Sequence, residues 1–411
     1  MAEPPGLRRV RRSVLAAMGG NAAAGGQAVR LASVFAALFV ILGTQLTYLP
    51  VWLDARGLTA AQIAFATSTP TFLRLVVTPT IAVLADRAQA HRGIIMALCW
   101  CGLALLFALS QLHQPIGIIA LVIVMLVVVQ SIMPLVDTLT MRAVRDDGLD
   151  YGRVRLWGSA TFILASYLAG FCVAAGGTDS IIWLLLAGAA LTAAAAQGLP
   201  TRNARVAGGR ARLTSADMLA LATDPRIVLF VVAASAIQAS HAVFYVFGVL
   251  HWRAQGLSAG VIGTLWGISV VAEIALFWAS RRVAMLGPAE LIGLGAACGL
   301  VRWTAMAFDP PVALLAPLQI LHAGTFAATH LGAMHWIARV VPDHQAGTAQ
   351  ALLSTASSGI GMGGAILLSG WLYADYGGSA YLGMAAMCAV GGASALGLRA
   401  AAGVRDAGHP G

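Results

Sequence analysis

The sequence predicts an all-α polytopic membrane protein of twelve transmembrane helices, arranged as two six-helix halves around a central cavity. The 411-residue chain is 59% hydrophobic and only 10% charged, with a mean hydropathy of +0.83. Soluble domains carry about a quarter charged residues. The apolar runs are about 20 residues long, which is the length that a helix needs to cross a bilayer. The basic residues lie almost entirely on one side of those runs.

Twelve apolar runs are separated by charged residues or by proline and glycine. The first half, 31–199, contains the predicted spans 31–53, 60–85, 93–110, 116–141, 155–176 and 180–199. The second half, 226–399, contains 226–252, 258–280, 288–307, 311–338, 346–373 and 378–399. We expect two helical bundles joined by an arginine- and glycine-rich linker, 200–225, with tails at 1–30 and 400–411.

The positions of the basic residues predict the orientation in the membrane. All 25 are arginines. If the N-terminus is cytoplasmic, 21 of them fall in the tails, in the even-numbered connections and at the adjoining helix ends. Arg56 and Arg253 fall on the opposite side, and Arg74 and Arg302 lie within spans. Cytoplasmic loops carry such an excess of positive charge, so we expect a bacterial cytoplasmic (inner) membrane protein with both termini in the cytoplasm.

Composition and motifs argue against several other classes of protein. Nucleic-acid binding requires basic residues clustered on a soluble face, whereas these arginines are spread thinly between apolar runs. The five cysteines form no CxxC pair and the histidines form no HExxH motif, so we expect no metal site and no cofactor. A membrane-embedded enzyme and a non-transporting receptor are the alternatives from other functional classes.

The two halves carry a sequence repeat. "VWLDARGLTAAQIA" (51–64) aligns with "VLHWRAQGLSAGVIG" (249–263), with Gly57 over Gly256 at an offset of 199 residues. Both segments join an odd-numbered span to the next even-numbered one on the outer side. Parallel six-helix repeats are typical of carriers that have a cavity between their halves. The same offset places Arg74 and Glu273 at equal depth.

Ionisable residues within spans are functional candidates, because a charge inside the bilayer costs several kcal/mol unless it is paired or hydrated. They are Arg74, Asp137, Glu273, Arg302, His241, His322 and His330. His335 lies near the cytoplasmic end, where it can extend to the interface.

Four glutamines also lie within spans, on the first, fourth, seventh and tenth: Gln45, Gln130, Gln238 and Gln319. Amides of this kind can join helices, but their restriction to every third span favours a substrate role. Residues three, four or seven apart share a helix face. This relation adds Tyr48, Asp137, His241, Tyr245 and His322 to the four glutamine faces. His322 is about 16 Å deep at the helical rise, near the middle of the bilayer.

Asp137 and Arg155 are predicted to meet. The hairpin between them is centred on Asp146, nine residues from each, and antiparallel helices that leave one turn reach equal depth at equal distance. A structural ion pair that closes the cytoplasmic end and a substrate-binding pair are both open interpretations.

Glu273 lies fifteen residues from Ser258, and Arg302 lies six residues before Phe308. Their depths therefore argue against a direct pair, although His322, at intermediate depth, can contact either residue. By depth, the cation that matches Glu273 is Arg74. Low dielectric favours the neutral form of a carboxyl group, which suits reversible protonation in a proton-coupled carrier.

Seven motifs occur in order over about residues 45–340. They are "VWLDARGL", "PLVDTL", "LDYGRVRLWGS", "AVFYVFGVLHWRAQGLSA", "LWGISVVAEIALF", "GLVRWTAM" and "QILHAGTFAATHLGAMHWIA". Together they resemble the phenylpropionate permease family of the major facilitator superfamily and, more distantly, the lactose permeases. The resemblance implies the major facilitator fold, in which the first, fourth, seventh and tenth helices line the cavity. It also implies proton-driven uptake of a small molecule by alternating access.

The resemblance implies roles for individual residues. In lactose permeases an acid on helix four and an arginine on helix five hold the substrate, and an aromatic residue stacks on it. Asp137, Arg155 and Phe162 stand at the matching positions. His322 matches a helix-ten histidine, but Thr325 replaces the proton-bearing glutamate. The helix-eight acid, Glu273, is displaced by about two turns, so the proton site is expected to be rebuilt around Glu273 and a galactoside is disfavoured.

We therefore predict an H⁺ symporter for a small organic anion such as a phenylpropionate-like aromatic acid. A sugar or nucleoside symporter is the alternative. We expect a monomer in the lipid bilayer that is driven by the proton gradient. The predicted substrate-binding residues are Gln45, Tyr48, Gln130, Asp137, Arg155, Phe162, Gln238, His241, Tyr245, Trp266, Arg302, Gln319 and His322. The predicted proton-coupling residues are Glu273, His322 and Asp137. The predicted gating or structural residues are Arg74 with Asp86, Arg87 and Arg92 of the loop "ADRAQAHR", a degenerate facilitator loop motif.

Overall fold

The structure, a computed structural model, describes residues 5–200, 222–283 and 285–407. Most of the predicted linker 200–225 and the outermost residues of both predicted tails lie outside these ranges. The described residues form helices joined by short connections, and they contain no β-strand. The prediction of an all-α protein is confirmed.

Twelve helical runs account for most of the described residues. The first six are α1 Pro5–Ala55, α2 Ala60–Ala88, α3 His91–Gln111, α4 Pro115–Asp147, α5 Tyr151–Gly176 and α6 Ser180–Gln197. The next four are α7 Pro225–Ala254, α8 Ala259–Trp278, α9 Pro288–Met306 and α10 Val312–Val340. The eleventh, α11, consists of Asp343–Ser354, a π segment Thr355–Gly361 and Met362–Tyr376, and α12 is Tyr381–Ala407. Helix α7 is interrupted at Ser240 and His241, and α10 contains a π segment, Ala323–Ala328.

Ten stretches of the described residues are long and apolar enough to cross a membrane. One of them, Gln345–Ala400, contains parts of both α11 and α12, and α9 is not among the ten. The chain is a multi-pass membrane protein, and the count of twelve transmembrane helices stays a prediction. The helical backbone of α1 starts well before the predicted span 31–53, and the membrane-length apolar stretch found in it is Gly25–Ala55.

The connections between helices define two faces of the protein. We call the face that carries the connections after α1, α3, α5, α7, α9 and α11 the hairpin face, and the opposite one the linker face. On the hairpin face, Arg56 after α1 pairs with Asp179 before α6 at 2.9 Å. On the linker face, Arg142 of α4 pairs with Asp86 of α2 at 3.1 Å.

The aligned repeat segments fold into the same turn. Gly57 has a φ of +80° and Gly256 a φ of +82°, a left-handed conformation that glycine adopts without steric cost. The next helix in each half then begins after a hydroxyl cap. Thr59 accepts a hydrogen bond from the Gln62 amide, and Ser258 accepts one from the Val261 amide. The repeat therefore marks equivalent turns in the two halves.

The two halves meet chiefly where α1 packs on α7, α2 on α11 and α5 on α8, with a smaller contact between α2 and α7. The contacts toward the hairpin face depend on glycine. A methyl group at Gly263 of α8 would come within 2.7 Å of the Tyr167 ring on α5, and one at Gly370 of α11 would collide with Ala64 of α2. Small residues allow helices in membranes to approach this closely. We call this set of contacts the hairpin-face seal.

Candidate functional site

A buried arginine organises the second half. Arg302 of α9 is fully buried, and its Nη2 donates a hydrogen bond to Oε1 of Gln319 at 2.6 Å. Its Nη1 lies 3.1 Å from Nδ1 of His322. Because a guanidinium only donates, Nδ1 must accept, and a neutral His322 carries its proton on Nε2. The guanidinium also lies over the rings of Trp303 and Phe244, at 4.3 and 4.8 Å.

His322 joins this arginine to the acid of α8. Its Nε2 lies 3.7 Å from Oε2 of Glu273. The structure thus places His322 in contact with both Arg302 and Glu273, at the intermediate depth that the sequence suggested. The Glu273 side chain is 23% exposed, so its carboxyl group borders open space while the histidine behind it is buried.

Asp137 and Arg155 were predicted to meet directly, and in the structure a tyrosine separates them. The Tyr151 hydroxyl donates to Oδ1 of Asp137 at 2.9 Å and also interacts with the Arg155 side chain. The Arg155 guanidinium lies 4.0 Å over the Phe39 ring. Tyr151 precedes Arg155 by four residues on α5, which places both side chains on one helix face.

The cation that faces Glu273 is Arg155, not Arg74 as depth suggested. Glu273 and Arg155 interact electrostatically across the two halves, because α8 packs against α5. Arg74 instead donates a hydrogen bond to Oε1 of Gln130, because α2 packs against α4 and α11. Equal depth in two repeats is therefore not enough to make two residues neighbours.

A cavity of about 210 Å³ lies between the two halves, and we call it the interface cavity. Its polar lining is Gln45, Thr67, Thr71, Arg74, Gln130, Tyr245 and Ser358. Its apolar lining is Leu46, Leu49, Pro50, Leu126, Val246, Met362 and Ile366. Among these described residues, Arg74 carries the one formal charge. The cavity thus presents a single guanidinium among uncharged polar and apolar side chains.

A second cavity, of about 490 Å³, is formed by α7, α10 and α11 alone, and we call it the second-half cavity. It contains Gln238, a predicted substrate-binding residue, and also His330. The predicted residues of α7 and α10 are therefore divided between two cavities and the core behind them.

Three predicted substrate-binding residues, His241, Trp266 and Gln319, lie in the core of the second half. His241 is fully buried, and its Nε2 lies 2.9 Å from the Thr325 hydroxyl. Trp266 stacks on Phe244 with 4.6 Å between ring centroids, and Gln319 is fully buried beside Arg302. None of the three lines the interface cavity, but His241 and Trp266 both stack against Tyr245, which does.

Two predicted substrate-binding aromatic residues lie in the first half. Tyr48 is 1% exposed, and its hydroxyl lies against Gly170 of α5, which also meets Ala259 of α8 across the hairpin-face seal. Phe162 packs edge-on against Phe39, with 6.5 Å between ring centroids, so it flanks Arg155. In this arrangement neither ring belongs to the lining of the interface cavity.

The residues of the predicted loop motif join helices within the first half at the linker face. Asp86 of α2 pairs with Arg142 of α4 and lies 3.0 Å from Nε2 of His91. Arg92 donates to the carbonyl oxygen of Gln197 at 2.8 Å. Arg87 is exposed in the last turn of α2. These contacts fix helix ends and leave the interface cavity untouched.

Sequence reasoning missed several cavity and linking residues. The sequence does contain a signal for Tyr151, because this residue lies one helical turn before Arg155 and so shares its helix face. Thr67, Thr71 and Ser358 have none, because hydroxyl residues inside apolar helices usually bond to their own backbone, as Thr67 does to the Ile63 carbonyl. Within the described ranges, no group of histidine, cysteine or acidic residues could hold a metal ion.

The chain is similar to known transporters over most of its length. Residues 28–382 match the "MFS_1 like family". The chain is 31% identical to the "Probable 3-phenylpropionic acid transporter" of Escherichia coli (strain K12), over 82% of this chain and 88% of that protein. It is 28% identical to the "Maltose permease" of Geobacillus stearothermophilus, over 82% and 85% of the two proteins.

Solved structures share the fold. The nucleoside transporter NupG superposes with a TM-score of 0.77 at 18% identity, covering 91% of this chain and 98% of that one. A bacterial homologue of the lysosomal transporter Spinster, in an inward-facing and unoccupied conformation, gives 0.73 at 11% identity, covering 92% and 97%. With the family match and the 31% identical relative, these comparisons place the chain among transporters and not enzymes. The chain belongs to the MFS_1-like family of the major facilitator superfamily, as a transporter similar to the phenylpropionate permeases.

Proposed function

We propose that the protein is an H⁺-coupled symporter that takes up a small organic anion, such as a phenylpropionate-like aromatic acid. The observation that carries this proposal is the interface cavity, in which Arg74 is the one charged group of the described lining, among uncharged polar and apolar side chains. A carboxylate with an apolar body needs a charge-assisted hydrogen bond at one end and apolar contact along the rest. Small-molecule sites usually measure about 300–1,000 Å³, so this cavity, at about 210 Å³, suits a ligand with one ring.

The other arginines are less suited to hold the anion. Arg302 is fully buried and its two terminal nitrogens already bond to His322 and Gln319. Arg155 lies over Phe39 and faces Glu273. We therefore assign the substrate carboxylate to Arg74.

Glu273 is the proposed proton site. When it is ionised, it attracts Arg155 across the α5–α8 contact, and a proton on the carboxyl group removes that attraction. Because α5 and α8 belong to different halves, the charge of Glu273 acts on an interface that alternating access must separate. His322 lies between Glu273 and the fixed charge of Arg302. Its Nε2 can therefore face the Glu273 carboxyl group in both the ionised and the protonated form.

The arginine distribution supports a cytoplasmic linker face and an external hairpin face. On this orientation, protons and substrate enter from the hairpin face and leave toward the linker face, in the cytoplasmic membrane of a bacterium. The proton gradient supplies the driving force without a cofactor. A monomer suffices, because the two halves of one chain form the whole interface cavity.

A sugar or nucleoside is the second candidate substrate. The uncharged donors of the interface cavity, Gln45, Gln130 and Thr71, can bond to ring hydroxyl groups. Similarity to a maltose permease and to a nucleoside transporter of known structure also favours this alternative. It requires no role for the charge of Arg74.

Uptake by the purified protein in liposomes tests the proposal. Labelled 3-phenylpropionate should accumulate under an inward proton gradient, and maltose and uridine should not. Arg74→Gln should raise KM for the acid about 10- to 100-fold, because a hydrogen bond to a charged group contributes about 1.5–3 kcal/mol. Arg145→Gln is the matched control, since Arg145 is exposed at the end of α4.

Three outcomes would contradict this function in distinct ways. Uptake that ignores the gradient rejects symport. An Arg74→Gln protein with wild-type KM rejects the anion site. Accumulation of maltose or uridine in place of the acid selects the second candidate.

A further inference from the structure

The second-half cavity has the composition of a binding site. It measures about 490 Å³ and is lined by polar but uncharged side chains beside apolar ones. The polar lining is Gln238, Thr329, His330, Gln350, Ser354, Ser357 and Ser358. The apolar lining is Ala234, Phe326, Ala333, Met334 and Leu353. It therefore offers hydrogen-bond donors and acceptors together with an apolar wall.

Several of these polar groups lack a protein partner. Ser357 is only 8% exposed, and among the described residues its hydroxyl has no hydrogen-bond partner. The side-chain amide of Gln238 and the hydroxyl of Ser354 are likewise unbonded within the described chain. Ser357 is buried, Gln238 is half-buried and Ser354 is exposed, so these cavity-lining groups are free to bond to a ligand or to water.

Two of the cavity walls contain π-helical segments. Phe326 lies in Ala323–Ala328 of α10, and Ser357 and Ser358 lie in Thr355–Gly361 of α11. Such wide turns are rare and occur frequently at functional sites. They point to this cavity independently of its lining chemistry.

The second-half cavity continues the interface cavity toward the linker face. Ser358 lines both. Along α11, Gln350 lies in the second-half cavity and Ile366 in the interface cavity, sixteen residues further on. That separation is about 24 Å at the helical rise, which is most of the roughly 30 Å hydrocarbon thickness. The two cavities thus adjoin at Ser358.

The two cavities differ in how they are built. Both halves contribute to the interface cavity, so its walls separate when the halves move relative to each other. The second-half cavity is formed by α7, α10 and α11, and movement of the first half leaves these walls together. A ligand in the second-half cavity therefore stays bound to the second half when the two halves move apart.

We propose that the second-half cavity is a second, weaker station for the transported organic acid on its way to the linker face. The inference rests on the proposed function and adds a site to it. Hydroxyl and amide donors replace the guanidinium of Arg74, and Phe326 and Met334 receive the apolar part. Hydrogen bonds from these uncharged donors to the carboxylate lack the positive charge of the guanidinium, so affinity falls roughly fivefold, or by about 1 kcal/mol. The substrate passes from a strong to a weak site and is then released.

Equilibrium dialysis with labelled 3-phenylpropionate tests the second station. The wild-type protein should bind two molecules per chain, the second roughly fivefold more weakly than the first. Ser354→Leu, which fills the second-half cavity, should keep the tight site and lose the weak one. Ala351→Leu is the matched control, because it adds the same side chain on α11 outside both cavities, and it should keep both sites.

Arg74→Gln separates this inference from the proposed function. It should remove the tight site and leave the weak one. Ser357→Ala, a smaller change, should weaken the second site about threefold. It keeps the test valid if Ser354→Leu does not fold. A wild-type protein that binds one molecule, all of it lost in Arg74→Gln, overturns the second station alone. A wild-type protein that binds none overturns both proposals for this acid.

Discussion

The guanidinium of Arg302 donates a hydrogen bond to Nδ1 of His322 across 3.1 Å, deep inside the second half. This contact fixes which ring nitrogen carries the proton in the neutral histidine. It leaves Nε2 directed at Glu273, 3.7 Å away. A permanent positive charge, a neutral ring and an acid therefore follow one another from the core of the second half toward Arg155 of α5.

The first prediction concerns the stability of this contact. His322→Phe keeps a ring against Phe326, which lies 5.4 Å from the histidine ring, but it removes the acceptor for Arg302. A buried donor without a partner costs about 1–3 kcal/mol. We expect thermal unfolding in detergent to show this loss for His322→Phe. His322→Gln supplies an acceptor and should recover about half of it; equal loss in both variants would contradict the role of the acceptor.

The second prediction concerns coupling through Glu273. Glu273→Gln fixes the side chain in a form without charge, so the proton gradient can no longer drive transport. We expect accumulation of the acid to stop, while exchange of internal for external substrate continues. Exchange should also lose its dependence on pH. Asp224→Asn, at the N-cap of α7 on the linker face, is the control; wild-type accumulation by Glu273→Gln would exclude Glu273 as the coupling acid.

The third prediction concerns Tyr151, which lies between Asp137 and Arg155. Tyr151→Phe removes the hydroxyl that donates to Asp137 at 2.9 Å, and hydrogen bonds to charged groups contribute about 1.5–3 kcal/mol. We expect the transport rate to fall about tenfold or more. Tyr167→Phe removes a hydroxyl from the same helix without this contact and should stay near the wild-type rate. Equal rates in both variants would show that the bridge is dispensable.

The fourth prediction concerns the hairpin-face seal. Gly263→Ala places a methyl group within 2.7 Å of the Tyr167 ring, whereas Gly260→Ala, one turn earlier on α8, approaches the Tyr167 hydroxyl only to 3.8 Å. Overpacking costs about 1–3 kcal/mol and here opposes closure of the seal. We expect transport by Gly263→Ala to fall at least about tenfold and Gly260→Ala to remain within about twofold of wild type. Thiol labelling of a cysteine introduced at Thr67 should increase only in Gly263→Ala.

The fifth prediction concerns a contact on the hairpin face. Asp309 has a φ of +49° and accepts a hydrogen bond from His251 at 2.7 Å. Asparagine tolerates the left-handed conformation and keeps an acceptor, whereas leucine does neither. We expect Asp309→Leu to lower the free energy of unfolding by about 1–3 kcal/mol and Asp309→Asn by clearly less. Chemical denaturation in detergent measures both, and similar losses would remove the backbone argument.

Much of the fold follows from the sequence because long apolar runs identify the membrane spans. The predicted spans overlap the twelve helical runs, although the ends extend, as at Ala88 and Asp147. The sequence repeat was more informative than the number of spans, because its two glycines, Gly57 and Gly256, adopt the same left-handed turn. A glycine at the same place in both copies indicates a left-handed backbone conformation, which glycine adopts without steric cost.

The candidate site was harder to predict, for two physical reasons. Helix faces were derived from a regular helix, but α7 is broken at Ser240 and α10 contains a π segment, and each irregularity rotates the residues beyond it. Gln319, predicted to line a cavity, is buried beside Arg302 as a result of packing that the sequence does not reveal. Depth along a helix could be estimated from the sequence, and the estimate placed His322 at the level of Arg302 and Glu273, its two partners in the structure.

Neighbours across the two halves were the least predictable part. The repeat offset matched Arg74 with Glu273, yet each found another partner, Gln130 and Arg155. Depth fixes one coordinate of a side chain, while the pairing of α2 with α11 and of α5 with α8 fixes the other two. That pairing belongs to the tertiary fold and has no signature in the local sequence.

The glycine contacts of the hairpin-face seal have an entropic consequence. Ordering a long side chain costs up to about 2 kcal/mol of rotamer freedom, whereas glycine and alanine lose none. A seal that depends on Gly263, Gly370 and Ala64 can therefore close and part without repeatedly freezing and releasing flexible side chains. Under the proposed function, we expect the open and closed forms to stay near in free energy, so that the small differential affinity of a bound acid or proton is sufficient to shift the population between them.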